Sequence, residues 1–210
     1  MTDPWLRWAQ RLQAIAQNGL TFAVNDFDRE RYTEIQEIAA AMLGAGSGLP
    51  LETVRGLYNA QAGYATPKID VRGVVFNEER ILLVREKLDG GRWTLPGGWA
   101  DVGDAPGEAA AREVLEEAGY QVRARKLLAF YDRDRHGHTP FIFHIYKAFF
   151  LCDLLDMTQN LSPNVETEEA AWFSEAELPA LDLSIGRVTL KQLQRFFEHL
   201  RHPDWPTDFD

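Results

Sequence analysis

Three glutamates share one turn of a predicted helix. Glu113, Glu116 and Glu117 stand at positions i, i+3 and i+4, a spacing that places their side chains on one face of an α-helix. Like charges at this spacing repel each other. Carboxylate oxygens are the hard ligands that Mg²⁺ and Mn²⁺ prefer in proteins. The pattern therefore indicates one of two features, a solvated acidic helix face or a divalent-cation site.

A glycine-rich loop stands directly before this helix. Gly97, Gly98 and Gly103 let the backbone approach a ligand or a metal closely, and the loop can turn carbonyl oxygens toward the glutamates. Between residues 101 and 117 the chain has six acidic side chains and one basic side chain, a net charge of −5. Because the loop and the carboxylates are adjacent, the sequence favours a cation site suited to phosphate chemistry.

The same residues resemble the Nudix box. Gly98, Asp104 and the segment 112–120 (REVLEEAGY) stand at the spacing of Gly-x5-Glu-x7-Arg-Glu-U-x-Glu-Glu-x-Gly-U, in which U is an apolar residue. So many fixed positions make a chance match improbable. One position departs from the motif, since Asp104 stands where the family has glutamate. In the family that glutamate pairs with the arginine of the box, which here is Arg112.

The resemblance implies an enzyme that hydrolyses a nucleoside diphosphate linked to another group X. Water attacks phosphorus in such enzymes, and bound Mg²⁺ or Mn²⁺ neutralises the phosphates. By position in the motif, the metal ligands would be Glu113, Glu116, Glu117 and the carbonyl oxygen of Gly97. Arg112 would orient the glutamates through charged hydrogen bonds.

The attacking water also needs a base. A glutamate of the cluster is one candidate. The others are Glu166, Glu168 and Glu169, which stand just before Trp172 in the region where many relatives supply the base. The residues alone do not choose among them.

A narrower resemblance extends over nearly the whole chain. An N-terminal helical segment with Gly19-Leu20-Thr21-Phe22 and Tyr32, followed by the glycine loop, resembles Nudix proteins that carry a small helical N-terminal domain. That branch includes CDP-choline and ADP-ribose pyrophosphatases, whose products are a nucleoside monophosphate and phosphorylated X. Two alternatives remain, a house-cleaning pyrophosphatase for damaged nucleoside triphosphates and a non-catalytic Nudix-like nucleotide sensor.

Several basic residues are candidates for binding the substrate. Arginine clamps phosphate with a fork of donors, and histidine binds phosphate or moves a proton. The candidates are Arg85, Arg133, Arg135, His136 and His138. The alternative for Arg85 is a solvated side chain at a strand end. The alternative for the other four is a loop whose charges neutralise one another.

The elements around the motif predict an α+β fold. A helix is expected from Pro106 to Ala118, with Ala111, Val114, Leu115 and Ala118 as its apolar face and the glutamates on the opposite side. Strands are expected at residues 69–76, 81–84, 122–131, 141–151 and 170–173, with a C-terminal helix after them. Together with the resemblance, this order predicts a Nudix-type α/β/α sandwich with a mixed sheet.

The first third of the chain is predicted to be helical only. Residues 1–63 are expected to form a helical N-terminal domain, and residues 64–205 the Nudix domain. The N-terminal helices carry apolar stripes that include Trp5 and Trp8, so either they pack against their own second domain or they dimerise. A homodimer is the prediction.

Composition bounds the remaining possibilities. The chain has 210 residues and a net charge of −10 at pH 7, which disfavours nucleic acid as a partner. No apolar stretch approaches the roughly 20 residues that span a membrane. The single cysteine, Cys152, fits a reducing compartment, so the expected location is the cytoplasm and the expected partner is a small-molecule nucleotide.

Overall fold

The protein forms two compact units. The computed structural model describes residues 4–160 and 166–210. One unit contains the described chain up to Pro67 together with Pro140–His144, and the other contains Lys68–Thr139 and Ile145–Asp210. The short segment at Pro140 therefore belongs with the N-terminal helices although it follows them by more than seventy residues, a pairing that sequence order does not reveal.

The first unit consists of three helices, α1 (Pro4–Phe22), α2 (Asp26–Ser47) and α3 (Leu51–Asn59). Their shared core is formed by Leu6, Ala9, Ala39, Ala40, Leu43, Val54 and Tyr58. The segment Pro140–His144 joins this core, because Ile142 packs against it and Gln10 Nε2 donates to Phe141 O at 3.1 Å. Among the described residues, no helix in either unit is long and apolar enough to cross a bilayer.

The second unit is built on one mixed sheet. Its strands are β1 (Lys68–Asn77), β2 (Arg80–Glu86), β3 (Arg92–Thr94), β4 (Gly97–Trp99), β5 (Val122–Asp132), β6 (Ile145–Leu154), β7 (Thr167–Ser174) and β8 (Asp208–Phe209). The order along the sheet is β3-β2-β1-β6-β5-β8, with β4 paired to β1 and β7 paired to β2. The pairs β1–β6 and β5–β8 are parallel and the others antiparallel.

Helices cover both faces of this sheet. On one face α4 (Pro106–Ala118) packs Val114 and Ala118 against Val75 and Cys152. On the other face α5 (Leu190–Arg201) buries its apolar stripe in the largest core of the molecule. The buried members of that stripe are Leu193, Phe196 and Phe197. This helix–sheet–helix arrangement confirms the predicted sandwich and its helical N-terminal region.

The strands differ in part from the prediction. A strand was expected at residues 141–151, but β6 starts at Ile145 because the four residues before it belong to the helical unit. Three short strands, β3, β4 and the edge strand β8, were not predicted. They have two or three residues each, which is too short a pattern to be recognised in a sequence. The two residues of β8 pair with β5 in parallel.

Candidate active site

The helix α4 carries the glutamates and is set by signals at both of its ends. Pro106 occupies the first turn, where its missing N–H costs no hydrogen bond. Gly119 ends the helix in the left-handed region with φ of 76°, and its N–H donates to Leu115 O at 2.9 Å. These signals fix the two ends of α4, and the helix packs beside β1 and β4.

Two of the glutamates lie on the buried side of α4. Glu113 and Glu117 are buried together with Val114 and Ala118, whereas Leu115 is 42% exposed. The prediction that the glutamates oppose an apolar face containing Leu115 was therefore wrong. Helical spacing shows which residues share a face, but it does not show that this face meets a strand able to hydrogen-bond a carboxylate.

Glu117 is held by the backbone of the glycine loop. Its Oε2 accepts a hydrogen bond from Gly97 N at 2.9 Å. Gly97 has φ of 148°, and a Cβ at this position would lie 2.1 Å from Val71 O, so no other residue fits this turn. Burial raises the pKa of the Glu117 carboxyl to about 8, because the charged form loses its water.

Glu113 lies against the next glycine of the loop. A Cβ on Gly98 would stand 3.1 Å from Glu113 Oε2, so the glycine leaves room for the carboxylate and little more. Burial raises the pKa of Glu113 above its ordinary value, against the opposing effect of the Arg112 charge. Two buried carboxylates with raised pKa values mark a place where negative charge lacks compensation.

Arg112 connects four carboxylates at the entrance of the site. Its Nη1 donates to Glu113 Oε1 at 2.9 Å and to Glu116 Oε2 at 3.2 Å. On its other side, Nε donates to Asp104 Oδ2 at 3.3 Å and Nη2 donates to Asp101 Oδ2 at 3.4 Å. The shorter aspartate at position 104 thus still reaches the arginine.

A buried charge network supports the glycine loop from the strand side. Arg72 donates from Nη1 to Leu95 O at 3.0 Å, and Asp70 holds both other nitrogens of its guanidinium at 2.9 and 2.8 Å. Lys147 Nζ donates to Asp70 Oδ1 at 2.6 Å. All three side chains are almost completely buried.

The charged side chains of this network shift one another's pKa values. Burial acts to raise the pKa of Asp70, but Arg72 and Lys147 outweigh it and hold that pKa well below its usual range. Burial lowers the pKa of Lys147 to about 7. Sequence analysis missed this network. The available signal was a set of charged residues inside otherwise apolar strands. Such a pattern normally indicates a strand with one face in water, and it indicates buried charges only when both faces of the sheet are known to be covered.

The segment that carries the candidate general bases, Glu166, Glu168 and Glu169, starts next to the end of α4. Thr167 Oγ1 donates to Glu117 O at 2.9 Å, which brings the start of β7 to the last turn of the glutamate helix. Glu166 O accepts from Lys87 N at 2.8 Å. Glu168 and Glu169 are exposed, and Glu169 lies 3.8 Å from Arg85. The roles of these three glutamates stay predictions.

The predicted substrate-binding residues occupy separate places. Arg85 donates from Nε to Gly91 O at 2.8 Å, and the buried Arg133 donates to Gly186 O at 3.2 Å. His136 stacks on Tyr131 with ring centroids 3.8 Å apart. Arg135 is exposed, with Nε 3.5 Å from Asp132.

His138 uses both of its ring nitrogens inside the protein. Nδ1 donates to Ile185 O at 2.7 Å, and Nε2 accepts from the Gln192 amide at 3.2 Å. Burial lowers the pKa of His138 to about 3, so the ring is neutral at physiological pH. The contacts of all five basic residues serve the fold, and their part in substrate binding stays a prediction.

Comparison with known proteins decides the family. A model of the NUDIX domain matches residues 66–193, which is more than half of the chain. The chain belongs to the Nudix family. A second model, described as a UDP-X-like N-terminal oligomerisation domain, matches residues 3–58.

Relatives of this Nudix protein match along most of its length. It is 45% identical to a putative ADP-ribose pyrophosphatase from Bacillus subtilis, over 98% of this chain and 97% of that protein. A crystal structure of a UDP-X diphosphatase is 32% identical, with 98% of each chain covered and a TM-score of 0.62. An ADP-ribose pyrophosphatase from Streptococcus suis is 39% identical, with a TM-score of 0.61, over 69% of this chain and all of that one. The protein is a Nudix pyrophosphohydrolase.

The residues present fit the divalent cation that Nudix enzymes use. Among the residues that the structure describes, no three acidic or imidazole side chains already converge as a metal site. The reason is local, because Arg112 draws Glu113 and Glu116 together while Glu117 turns to Gly97 N. The donors are nevertheless hard oxygens, and two of the carboxylates are buried beside the glycine loop, which is the donor chemistry that a divalent cation prefers.

Proposed function

We propose that this Nudix protein hydrolyses the pyrophosphate bond of a nucleoside diphosphate linked to X, with ADP-ribose as its main substrate. The products are a nucleoside monophosphate and phosphorylated X. The observation that carries this proposal is the buried Glu117 carboxylate, held against Gly97 N at the turn of the glycine loop. The full-length similarity to a putative ADP-ribose pyrophosphatase supports the choice of X, and CDP-choline is the next candidate.

We further propose Mg²⁺ or Mn²⁺ as the cofactor. Glu113, Glu116, Glu117 and the carbonyl oxygen of Gly97 would hold it. When bound, a divalent cation neutralises the charge on the diphosphate and favours attack by water at phosphorus.

The chain's own residues position this chemistry. Arg112 fixes two carboxylates of the cluster through one nitrogen, so their oxygens keep a defined spacing. Arg72 holds Leu95 O and thereby fixes the backbone that leads into the glycine turn. We assign the base that accepts the proton of water to Glu166 or Glu168, because Thr167 between them is bonded to the end of α4.

The helical unit is proposed to form a homodimer through α1. Trp8, Ile15 and Phe22 recur at seven-residue intervals and are 60%, 47% and 66% exposed. Such a stripe is buried in a stable assembly more often than it is left in water. Trp5, which was expected to share this surface, packs instead on the helical core beside Gly46. The cytoplasm is the proposed location, since Cys152 is the only cysteine.

A substrate screen tests the proposed reaction. Purified protein is incubated with ADP-ribose, CDP-choline, a UDP-sugar and nucleoside triphosphates, with Mg²⁺, Mn²⁺ or EDTA, and the products are identified by mass spectrometry. AMP and ribose 5-phosphate are expected from ADP-ribose in the presence of either metal. Turnover of triphosphates alone would favour a house-cleaning enzyme, and tight binding without turnover would favour a sensor.

Glu117→Gln provides the matched test of the site. The amide retains the size of the side chain but cannot supply the charge that a cation needs, so turnover should fall by at least about 100-fold. Glu108→Gln is the control, because Glu108 is an exposed glutamate in the first turn of the same helix. Equal activity of the two variants would contradict the assignment.

A further inference from the structure

One row of the sheet runs from the acidic cluster to an aromatic cavity. Gly98, which lies against Glu113, pairs with Val71, and Val71 pairs with Ala148. Ala148 in turn pairs with Phe130 of β5. Strands in a sheet are about 4.8 Å apart, so Phe130 lies about 14 Å from Gly98 along this row.

The row lies on the face of the sheet that α4 covers. Val71 and Ala148 pack against Ala109 and Ala110 of that helix. Paired residues in neighbouring strands place their side chains on the same face, so Phe130 shares the face of the glutamate helix. The acidic cluster and Phe130 are therefore on one side of one sheet, at two places separated by residues that α4 covers.

A cavity of about 510 Å³ opens at Phe130. Tyr146 of β6 forms its second aromatic wall, with the two ring centroids 5.3 Å apart and the planes inclined at 59°. Phe209 of β8 adds a third ring, which is 77% exposed. Three aromatic side chains at one opening offer flat apolar surface that is partly in water.

The charged side chains that line the cavity are two carboxylates and one guanidinium. Asp132 and Asp210 bring two carboxylates, and Arg135 brings one guanidinium whose Nε lies 3.5 Å from Asp132. Two carboxylates disfavour a phosphate in this cavity, but they accept hydrogen bonds from amino or hydroxyl groups. The arginine can stack on a planar ring or donate to a carbonyl oxygen.

We propose that this cavity binds the nucleobase end of the substrate while the diphosphate lies at the acidic cluster. The inference rests on the proposed function, since it assigns the nucleoside half of a nucleoside diphosphate linked to X. A base offers a π-face to Phe130 and Tyr146 and polar edges to the aspartates and Arg135. The terminal ribose of ADP-ribose has no π-face to stack on these rings, so the X end occupies the other side of the cluster.

Calorimetric titration of the full chain tests the assignment without any turnover. The probes are AMP, CMP and UMP, with ribose 5-phosphate as a phosphate that lacks a base, in the presence of Mg²⁺. In Phe130→Leu and Tyr146→Leu the cavity stays apolar but loses a ring face, so the Kd of the preferred monophosphate should rise about tenfold. The Kd of ribose 5-phosphate should not change.

Phe27→Leu is the matched control for this experiment, because it makes the same substitution at an exposed phenylalanine of α2 that does not line the cavity. It should leave the Kd of every probe unchanged. Unchanged monophosphate affinity in both leucine variants overturns the proposal, as does an equal loss of ribose 5-phosphate affinity. Failure of the proposed function is seen separately, as absent turnover in a protein whose monophosphate binding still depends on Phe130.

Discussion

At the scale of single residues, the glutamates of α4 differ in their surroundings more than in their spacing. Glu116 is exposed and bonded to Arg112, whereas Glu117 is buried and meets a backbone N–H. Burial raises the pKa of Glu117 to about 8. The desolvated carboxylate is therefore the residue that gains most from a cation, and the exposed one gains least.

Arg112→Lys tests the orienting arginine. A lysine has one nitrogen and cannot reach Glu113 and Asp104 on opposite sides at the same time. We expect kcat for ADP-ribose to fall at least about tenfold, with the melting temperature nearly unchanged because partly exposed ion pairs add little stability. Arg125→Lys, on an exposed pair with Asp153, is the control. Wild-type kcat in Arg112→Lys would contradict the role.

Asp70→Asn tests the buried network. Removing this carboxylate leaves Arg72 and Lys147 buried without their shared counter-charge. We expect the free energy of unfolding to fall by about 3–5 kcal/mol in a denaturant titration. Asp153→Asn, which affects a more exposed pair, should cost under about 1 kcal/mol. Similar losses in the two variants would show that Asp70 does not hold the network together.

At the scale of elements, the site depends on how closely β4 approaches α4. Gly98 leaves 3.1 Å between a potential Cβ and Glu113 Oε2, so Gly98→Ala must displace the carboxylate by a few tenths of an ångström. We expect the metal concentration that gives half-maximal activity to rise severalfold while the fold persists. Gly56→Ala in α3, where a Cβ meets no atom within 4 Å, is the control. An unchanged metal requirement would mean that the close approach is irrelevant to binding.

The sequence predicted some of these elements and not others, for physical reasons. Pro106 and Gly119 are local signals, so the helix between them could be predicted to the residue. The burial of Glu113 depends on β4, a strand of three residues with two glycines that has no periodicity to read. The contact of Arg72 with Leu95 O joins residues 23 positions apart, which no local pattern encodes.

At the scale of the whole molecule, the net charge of −10 and the proposed substrate have the same sign. The acidic side chains between residues 101 and 117 therefore work against phosphate binding until a cation is bound. The metal proposed for this site would reverse the local field, so that an acidic chain can hold a diphosphate. The acidic composition that disfavours nucleic acid as a partner is also the reason why the proposed reaction should require a cation.

Trp8→Glu tests the proposed dimer. A charge in the middle of the α1 stripe opposes its burial, so the protein should sediment as a monomer at concentrations where the wild type is a dimer. Phe27→Glu is the control, because Phe27 is an exposed aromatic residue of α2 outside the stripe. A wild-type chain that stays monomeric at all concentrations would exclude this interface.

The most direct test of the central claim is turnover of ADP-ribose in water enriched in ¹⁸O. The wild-type protein with Mg²⁺ or Mn²⁺ should yield AMP and ribose 5-phosphate in equal amounts, with one ¹⁸O atom incorporated per turnover. Neither product should form with EDTA or in Glu117→Gln. Full activity in EDTA, or wild-type activity in Glu117→Gln, would contradict a metal-dependent pyrophosphohydrolase built on the carboxylates of α4.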